Sequence, residues 1–590
     1  MVSLTKYYRF YRTRFQIYFR NHKNRVLGIT AATLLFLFLF SSIFSSSSKK
    51  NSIRSNYTSW LKDLSLSSNY NSTSSNAEKG GVISDSLSKE SIHINRVNYF
   101  KTIFQTFEQF QPQHKLAEFT FDGNAFNQDT QLTSDFLNQI GRFSPDFISD
   151  LKQAHSQFIK NIPEFKPELL NYHGDGVVFL GGGDTTWLSL IATRMFRKMG
   201  GSLPVEVLLP TYADYLKDRE ICDTYLPQQN ARCLVVTEQL GIARGKEEEL
   251  FYEEFAISDV TMQKSLAILT STFENAIVLT GDSILVKPLD DNFFISEPFT
   301  TYGLINWQDF NKRYTSPLFY QVADKKVEGV RVRDGPFELP LSRQVSSRKA
   351  DQLFPLHDRK GTIPDNTSDG GLMVINKVKH WKTLLLATYY NLNGNACFYQ
   401  LLTQSANSAE KETFAAAATV LDIPFYNVKT NVEANGFWYN NEYRGVGMLQ
   451  FDPIVDNYAV LEFMDKYKDE SPEFLTDANF KNFISDSSEK KSAMFFRVNF
   501  PRLLPIELIS EKFIVKENGD RIRMFSDAKY FSSDLENSIW RVMNDYICHF
   551  ELKCSYLKRH FKDERKSKAS REKFCSEGMK QHLLWLTGGR

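Results

Sequence analysis

An α/β fold with a mainly parallel sheet flanked by helices, carried behind a single N-terminal membrane-crossing helix, is what this sequence predicts. Three observations carry the prediction. Residues 177–209 read as strand, glycine turn, helix, strand, which is the βαβ unit of a parallel sheet. A second buried apolar strand, Ala276-Ile277-Val278-Leu279, runs out just before Asp282. Val26 to Phe44 carries no charge at all.

The chain has 590 residues with a formal net charge of +2. That balance argues against a whole-protein nucleic-acid binder, which shows a basic excess. The 49 phenylalanines read as a large aromatic core. The first 25 residues hold Lys6, Arg9, Arg12, Arg14, Arg20, Lys23 and Arg25 and no acid. The uncharged stretch that follows makes a helix of about 28 Å, close to the ~30 Å hydrocarbon core of a bilayer. It is longer than the core of a cleaved signal peptide. The basic tail then lies in the cytoplasm and the bulk of the chain across the membrane. All six cysteines lie beyond this anchor, where disulfides are permitted. Of the 15 pairings open to six cysteines, Cys222 with Cys233 and one pair within Cys548, Cys554 and Cys575 are expected. Sequons at Asn56, Asn71 and Asn366 are candidate glycan acceptors.

Residues 45–95 are rich in Ser and Asn without apolar periodicity and read as a flexible stem. Residues 96–165 look helical. From Gly174 the pattern becomes α/β. Val177-Val178-Phe179-Leu180 is a strand, Gly181-Gly182-Gly183 a turn, and Trp187, Leu188, Leu190, Ile191, Met195 and Phe196 recur at helical spacing. Thr185 or Thr186 is the expected N-cap and Gly200-Gly201 the stop. Val205 to Leu209 and Leu234 to Val236 extend the sheet. The glycine turn after a strand could cradle a phosphate, although it has neither GxGxxG nor GxxxxGK[ST] spacing. Asp282 stands where ligands of open α/β sheets gather. The organisation is thus a tail (1–25), an anchor (26–44), a stem (45–95), a helical part (96–165), an α/β domain (166–515) and a Cys-containing C-terminal region (516–590). The basic run Lys558 to Lys573 reads as a solvated helical face.

Several ordered blocks resemble the fungal Golgi α-1,3-mannosyltransferase family, a glycosyltransferase family of MNN/MNT type (family 71). They are VVFLGGGDTTWLSLIATRMFRKMGGSLPVEVLLP, ICDTYLPQQNARCLVV, KSLAILTSTFENAIVL, INWQDF, SDGGLMVINKVKHW, EKETFAAAA, GMLQFDP and FFRVNFPRLLP. The resemblance implies a GT-A-like domain over 166–515. It implies transfer of mannose from GDP-mannose with retention, forming α-1,3-linked mannose on protein-linked N- or O-glycans. It also implies manganese as cofactor, a Golgi membrane location, glycoprotein glycan acceptors, and other Golgi mannosyltransferases as partners.

A hard cation bridging the donor diphosphate needs carboxylates to hold it. In the family these stand as Asp-x-Asp after a strand. Here the segment is Thr280-Gly281-Asp282. Asp282 matches the second acid and is the expected metal ligand, and Thr280 stands where the first would be. Related GT-A enzymes place a metal-binding His near the C-terminus, and in FFRVNF the aligned position is Arg497, whose guanidinium could meet the diphosphate directly. By the same resemblance Asp369, Glu410 and Glu412 hold the reacting sugars. Gly181, Gly182, Gly183, Thr280, Trp307, Asp309 and Arg497 line the donor site, and Asp452 the acceptor side. Thr280 also supports the alternative of a non-catalytic or weakly active paralogue that serves as a partner subunit of Golgi mannosyltransferases.

Overall fold

A computed structural model describes residues 82–588 apart from 114–119, 122–130, 255–262, 405–408, 469–473, 486–488, 517–518, 526–529, 532–533 and 562–563. The expected tail, the anchor, most of the stem, Asn56 and Asn71 lie outside the described residues. Among the described residues no helix is long and apolar enough to cross a membrane.

Gly81–Gly436 and Val446–Arg590 form one compact unit. Phe437–Gly445 belongs to another, in which Trp438 meets Tyr443 edge-on and Arg444 lies over Tyr439. Within the large unit the first helix, α1 (Val82–Gln109), begins inside the segment expected to be stem. Serine content marks the stem in the sequence. The buried stripe Tyr99, Phe100, Ile103, Phe104 and Phe107 nucleates a helix that extends back into it. Helix α2 (Pro145–Lys160) starts at Pro145 behind the Ser144 N-cap, whose side chain accepts from Phe147 N.

The central sheet has seven strands. In chain order they are β1 (Asp175–Leu180), β2 (Val205–Leu209), β3 (Ala231–Val235), β4 (Asn275–Leu279), β6 (Leu304–Gln308), β7 (Ser368–Asn376) and β8 (Tyr426–Asn427). Spatially they run β8-β6-β7-β4-β1-β2-β3. β1 pairs in parallel with β2 and β4, β2 with β3, and β6 with β8. β7 alone runs against its neighbours β4 and β6. Strands β1, β2 and β4 are almost wholly buried, as a sheet covered on both faces requires.

Helix α3 (Asp184–Lys198) follows the glycine turn and stops at Gly200-Gly201, where Gly201 N bonds Phe196 O at 2.9 Å. Its N-cap is Gly183, not a threonine, and makes no side-chain cap bond. Thr186 instead turns back and accepts from Gly182 N at 2.9 Å. Helix α4 (Lys264–Thr270) leads into β4. Its last carbonyls are met by two buried cations. Lys377 Nζ lies 3.1 Å from Ile268 O and 2.8 Å from Ser271 O, and Arg96 Nη2 lies 2.7 Å from Thr270 O and 2.9 Å from Ser271 O. Both satisfy orphan carbonyls and oppose the negative helix end.

A second sheet abuts the end of β4. There β5 (Ser283–Leu285) pairs antiparallel with β10 (Ala493–Arg497), and β10 with β9 (Glu442–Phe451). A C-terminal helix, α5 (Leu535–Asn544), packs on α3, and Trp187 of α3 lies 5.3 Å from the Tyr556 ring. Cys222–Cys233 and Cys548–Cys575 are disulfides, as expected, while Cys397 and Cys554 are buried and belong to neither bridge.

Candidate active site

Four turns and strand ends converge where β4 leaves the central sheet. Thr280 N continues the pairing to Gly371 O of β7 at 3.0 Å, and Ser283 N closes a turn on Thr280 O at 2.9 Å. Asp282 therefore sits at the seam of the two sheets, with its carbonyl accepting from Val498 N at 2.8 Å. Arg497 is the last residue of β10 and stands opposite Ser283 in register. Strand pairing thus delivers the guanidinium to the aspartate.

Arg497 bridges two acids. Its Nε lies 3.4 Å from Asp282 Oδ2 and its Nη1 lies 2.6 Å from Asp369 Oδ1. Asp369 is 2% exposed. Its Oδ1 also accepts from Gly371 N at 2.7 Å and its Oδ2 from Gln450 Nε2 at 2.8 Å. Burial alone would raise the Asp369 carboxyl, but the Arg497 charge and these donors outweigh it and hold the carboxyl below its usual range. Burial works against the Arg497 charge too, and Asp282 and Asp369 overcome it, raising its pKa. The side chain crosses directly above Gly371. A Cβ built there would lie 2.5 Å from Arg497 Nε and 2.7 Å from Thr280 Oγ1, so only glycine admits the arginine.

Two lysines flank this pair. Lys264 Nζ bonds Gly370 O at 3.2 Å, and burial pulls its amine down to about 8 against the raising effect of Asp369. Lys411 pairs with Asp309. Burial would lower the Lys411 amine, but Asp309 and Glu412 raise it. Glu410 Oε1 comes within 3.9 Å of a Cβ placed on Gly370, so its carboxylate is beside the Asp369 turn.

The structure brings together Thr280, Asp282, Asp309, Asp369, Glu410 and Arg497 from the residues predicted. Others take different roles. Glu412 is fully buried and paired with Arg313, with Ser368 N donating to it at 3.1 Å. It anchors the strand leading to Asp369 and is not free to meet a sugar. Trp307 is 1% exposed, donates to Phe451 O at 2.7 Å and meets Phe495 edge-on. It joins the two sheets and does not line a donor pocket. Asp452 caps a helix through Ile454 N and pairs with Lys287. Asn366 donates its side-chain amide to the buried Gln308 at 2.8 Å, so a glycan on that nitrogen would break a bond at the floor of the site.

The glycine turn is not a phosphate cradle either. Gly181 N bonds Leu208 O and Gly182 N bonds Thr186, while Asp184 opens the helix and pairs with Arg559. Two of three amides are used, and a carboxylate already stands at the positive helix end. Lys264, Lys411 and Gln450 were not singled out in the sequence. Lys411 lies between the two glutamates that were, and a lysine opening the apolar run of KSLAILT was the available signal for Lys264.

The manganese expectation can be tested against these side chains. Thr280 donates its hydroxyl to Asp282 and supplies no charge. Among the described residues no group of three or more His, Cys, Asp or Glu side chains is gathered to hold a metal. Both candidate carboxylates are already bridged by Arg497. For an ion ~4 Å from that guanidinium, a divalent charge meets a repulsion of roughly 8 kcal/mol at an effective dielectric of about 20. The residues present do not fit a resident divalent cation.

Gly371→Ala should therefore act through Arg497. We expect a stability loss of about 1–3 kcal/mol from overpacking, read as a fall in thermal midpoint. Two hollows of about 600 and 530 Å³ lie elsewhere, one beside Cys548–Cys575 and one at the opposite strand ends around His173 and Arg232.

Comparison with known proteins agrees with this architecture. The profile of the family described as "Mannosyltransferase putative" matches residues 174–452, which span Asp282, Asp309, Asp369 and Glu410 of the site but not Arg497. Alpha-1,2-mannosyltransferase MNN21 of Candida albicans is 31% identical over 516 residues, 83% of this chain and 74% of the relative. Alpha-1,2-mannosyltransferase MNN2 of Saccharomyces cerevisiae is 32% identical over 441 residues, 71% of each chain. Alpha-1,2-mannosyltransferase MNN24 of Candida albicans is 36% identical over a shorter 339 residues.

Proposed function

This chain belongs to the fungal mannosyltransferase family of these relatives, and from that premise we propose that it transfers mannose from GDP-mannose to a mannose of a protein-linked glycan. The observation that carries the proposal is the Asp282–Arg497–Asp369 cluster at the carboxyl end of β4, the edge where α/β sheets bind ligands. The bond from the mannose anomeric carbon to the diphosphate breaks, the diphosphate leaves with the electron pair, and the acceptor hydroxyl oxygen forms the new bond as its proton passes to an oxygen of the leaving diphosphate. Charge builds on the departing diphosphate. Arg497 is held ready to meet it, with Lys264 and Lys411 adding positive potential, and preorganised charge of this kind is what lowers such barriers. Glu410, beside the Asp369 turn, is the acid we assign to the reacting hydroxyls.

The sequence resemblance pointed to α-1,3 linkage, whereas the relatives are named for α-1,2 transfer. We take α-1,2 as the proposed linkage. The uncharged run Val26 to Phe44 and the serine-rich stretch after it support a Golgi membrane enzyme with its catalytic part in the lumen.

Incubation of the purified chain with GDP-mannose and α-mannobiose, followed by linkage analysis, tests this. We expect a trisaccharide with a new α-1,2 bond. An α-1,3 product would restore the linkage first expected. No product from the wild-type chain across metal and pH conditions would sink the enzyme and favour a non-catalytic partner subunit, the reading Thr280 also supports.

A further inference from the structure

We propose that Arg497 stands in for the divalent cation, so that this protein binds the diphosphate of its donor through a resident guanidinium and needs no metal to do so. The inference rests on the donor assigned above. Three independent features of the site point the same way.

The first is placement. Backbone pairing of β10 with β5 sets Arg497 opposite Ser283, one residue beyond Asp282. The side chain does not reach the acids by a chance surface rotamer. It is 16% exposed and threaded over Gly371, where any Cβ would collide with it.

The second is spare donor capacity. A guanidinium has five N–H groups. Asp282 takes one through Nε and Asp369 one through Nη1. Three remain, and the planar fork suits phosphate oxygens.

The third is charge. With Thr280 in place of an acid, the β4 turn contributes one carboxylate, Asp282, and the Asp369 turn a second. The positive charge of Arg497 lies between them, and Lys264 Nζ caps the same turn at Gly370 O. Lys411 balances Asp309 nearby and Glu410 stands beside the same turn, so four carboxylates face three resident cations. A site built to hold a dication would leave the place between its carboxylates open to the ion. Here Arg497 already occupies that place between Asp282 and Asp369.

The test is GDP binding to the full chain by isothermal titration calorimetry, first in EDTA and then in manganese or magnesium. We expect Kd values within threefold of one another. Arg497→Lys keeps the charge but loses the fork and should bind about tenfold more weakly. Arg497→Met should lose at least a hundredfold. Binding that disappears in EDTA and returns with manganese overturns this proposal while leaving the GDP-mannose donor intact. Equal affinity for wild type and Arg497→Met overturns it as well. No GDP binding in any buffer overturns the donor assignment, and this proposal with it. Because Arg497→Met leaves two buried acids without their partner, its fold is checked by circular dichroism. The wild-type comparison across metal conditions needs no variant and decides the question by itself.

Discussion

Asp369→Asn is expected to cost the protein both activity and stability, with transfer falling on the order of a hundredfold or more. The Asp369 carboxylate accepts three N–H groups: Gly371 N and Arg497 Nη1 on Oδ1, and Gln450 Nε2 on Oδ2. Asparagine offers one oxygen and one NH₂. Whichever way it points, an N–H faces another donor in a site that is 2% exposed. A buried unsatisfied donor costs about 1–3 kcal/mol, and removing one partner of a buried ion pair costs about 3–5 kcal/mol. Arg497 keeps Asp282, so the lower part of that range is expected for stability. The larger effect is on chemistry, because a guanidinium no longer fixed from both sides loses its aim, and a 1 Å displacement can cost about a hundredfold. The measurement is kcat/KM at a temperature where the variant is folded, together with GDP affinity. Wild-type kcat/KM with a lowered thermal midpoint would reduce Asp369 to a structural residue. The pH behaviour follows from the same contacts. A carboxyl held below its usual range is ionised above pH ~4, so its contribution is present above the unfolded value and lost as pH falls through the folded one. Between pH 5 and 8 Asp369 should add no limb to the activity profile.

Glu412→Gln should be the most destabilising single change near the site, by about 3–5 kcal/mol. Glu412 and Arg313 are both fully buried and paired. Arg313 also donates from Nε to Pro364 O at 2.9 Å and from Nη2 to Asn366 O at 2.7 Å, so it ties down the loop that runs into Asp369. Glutamine keeps the shape and can still accept from Ser368 N, but it leaves the guanidinium charge uncompensated away from water. The expected result is a large fall in thermal midpoint, with kcat/KM per folded molecule within tenfold of wild type at low temperature. A variant of normal stability but abolished turnover would return Glu412 to the chemistry. Glu410→Gln is the contrast: it lies on the partly exposed side of the same short turn and should lower kcat with little change in midpoint.

Neighbouring letters thus part company. In EKETF the two glutamates are two residues apart and alike in the sequence, yet one faces the Asp369 turn and the other is sealed under it. Chain spacing cannot tell them apart, because the difference lies in which of them meets Arg313, nearly a hundred residues away. Trp307 and Asp309 part as well: the indole is sealed between the sheets within β6, whereas Asp309 lies one residue past the strand's end and pairs with Lys411.

The sequence by itself determined the βαβ unit, the strand segments of β1, β2, β3 and β4, the position of Asp282 just past the end of β4 and the Cys222–Cys233 bridge. These rest on local rules: apolar periodicity, glycine punctuation and short chain separation. Helix α1 was hidden by serine-rich composition at its start. The reversed strand β7, the second sheet, the burial of Glu412 and the Arg497 bridge were decided only by the tertiary structure. Each depends on residues brought together from far along the chain, as Arg497 is to Asp282 across 215 positions. Thr280 looks like a lost acid when read in sequence. In the fold it adjoins a cation that the chain supplies for itself, and electrostatics of that kind exists only once the strands have paired.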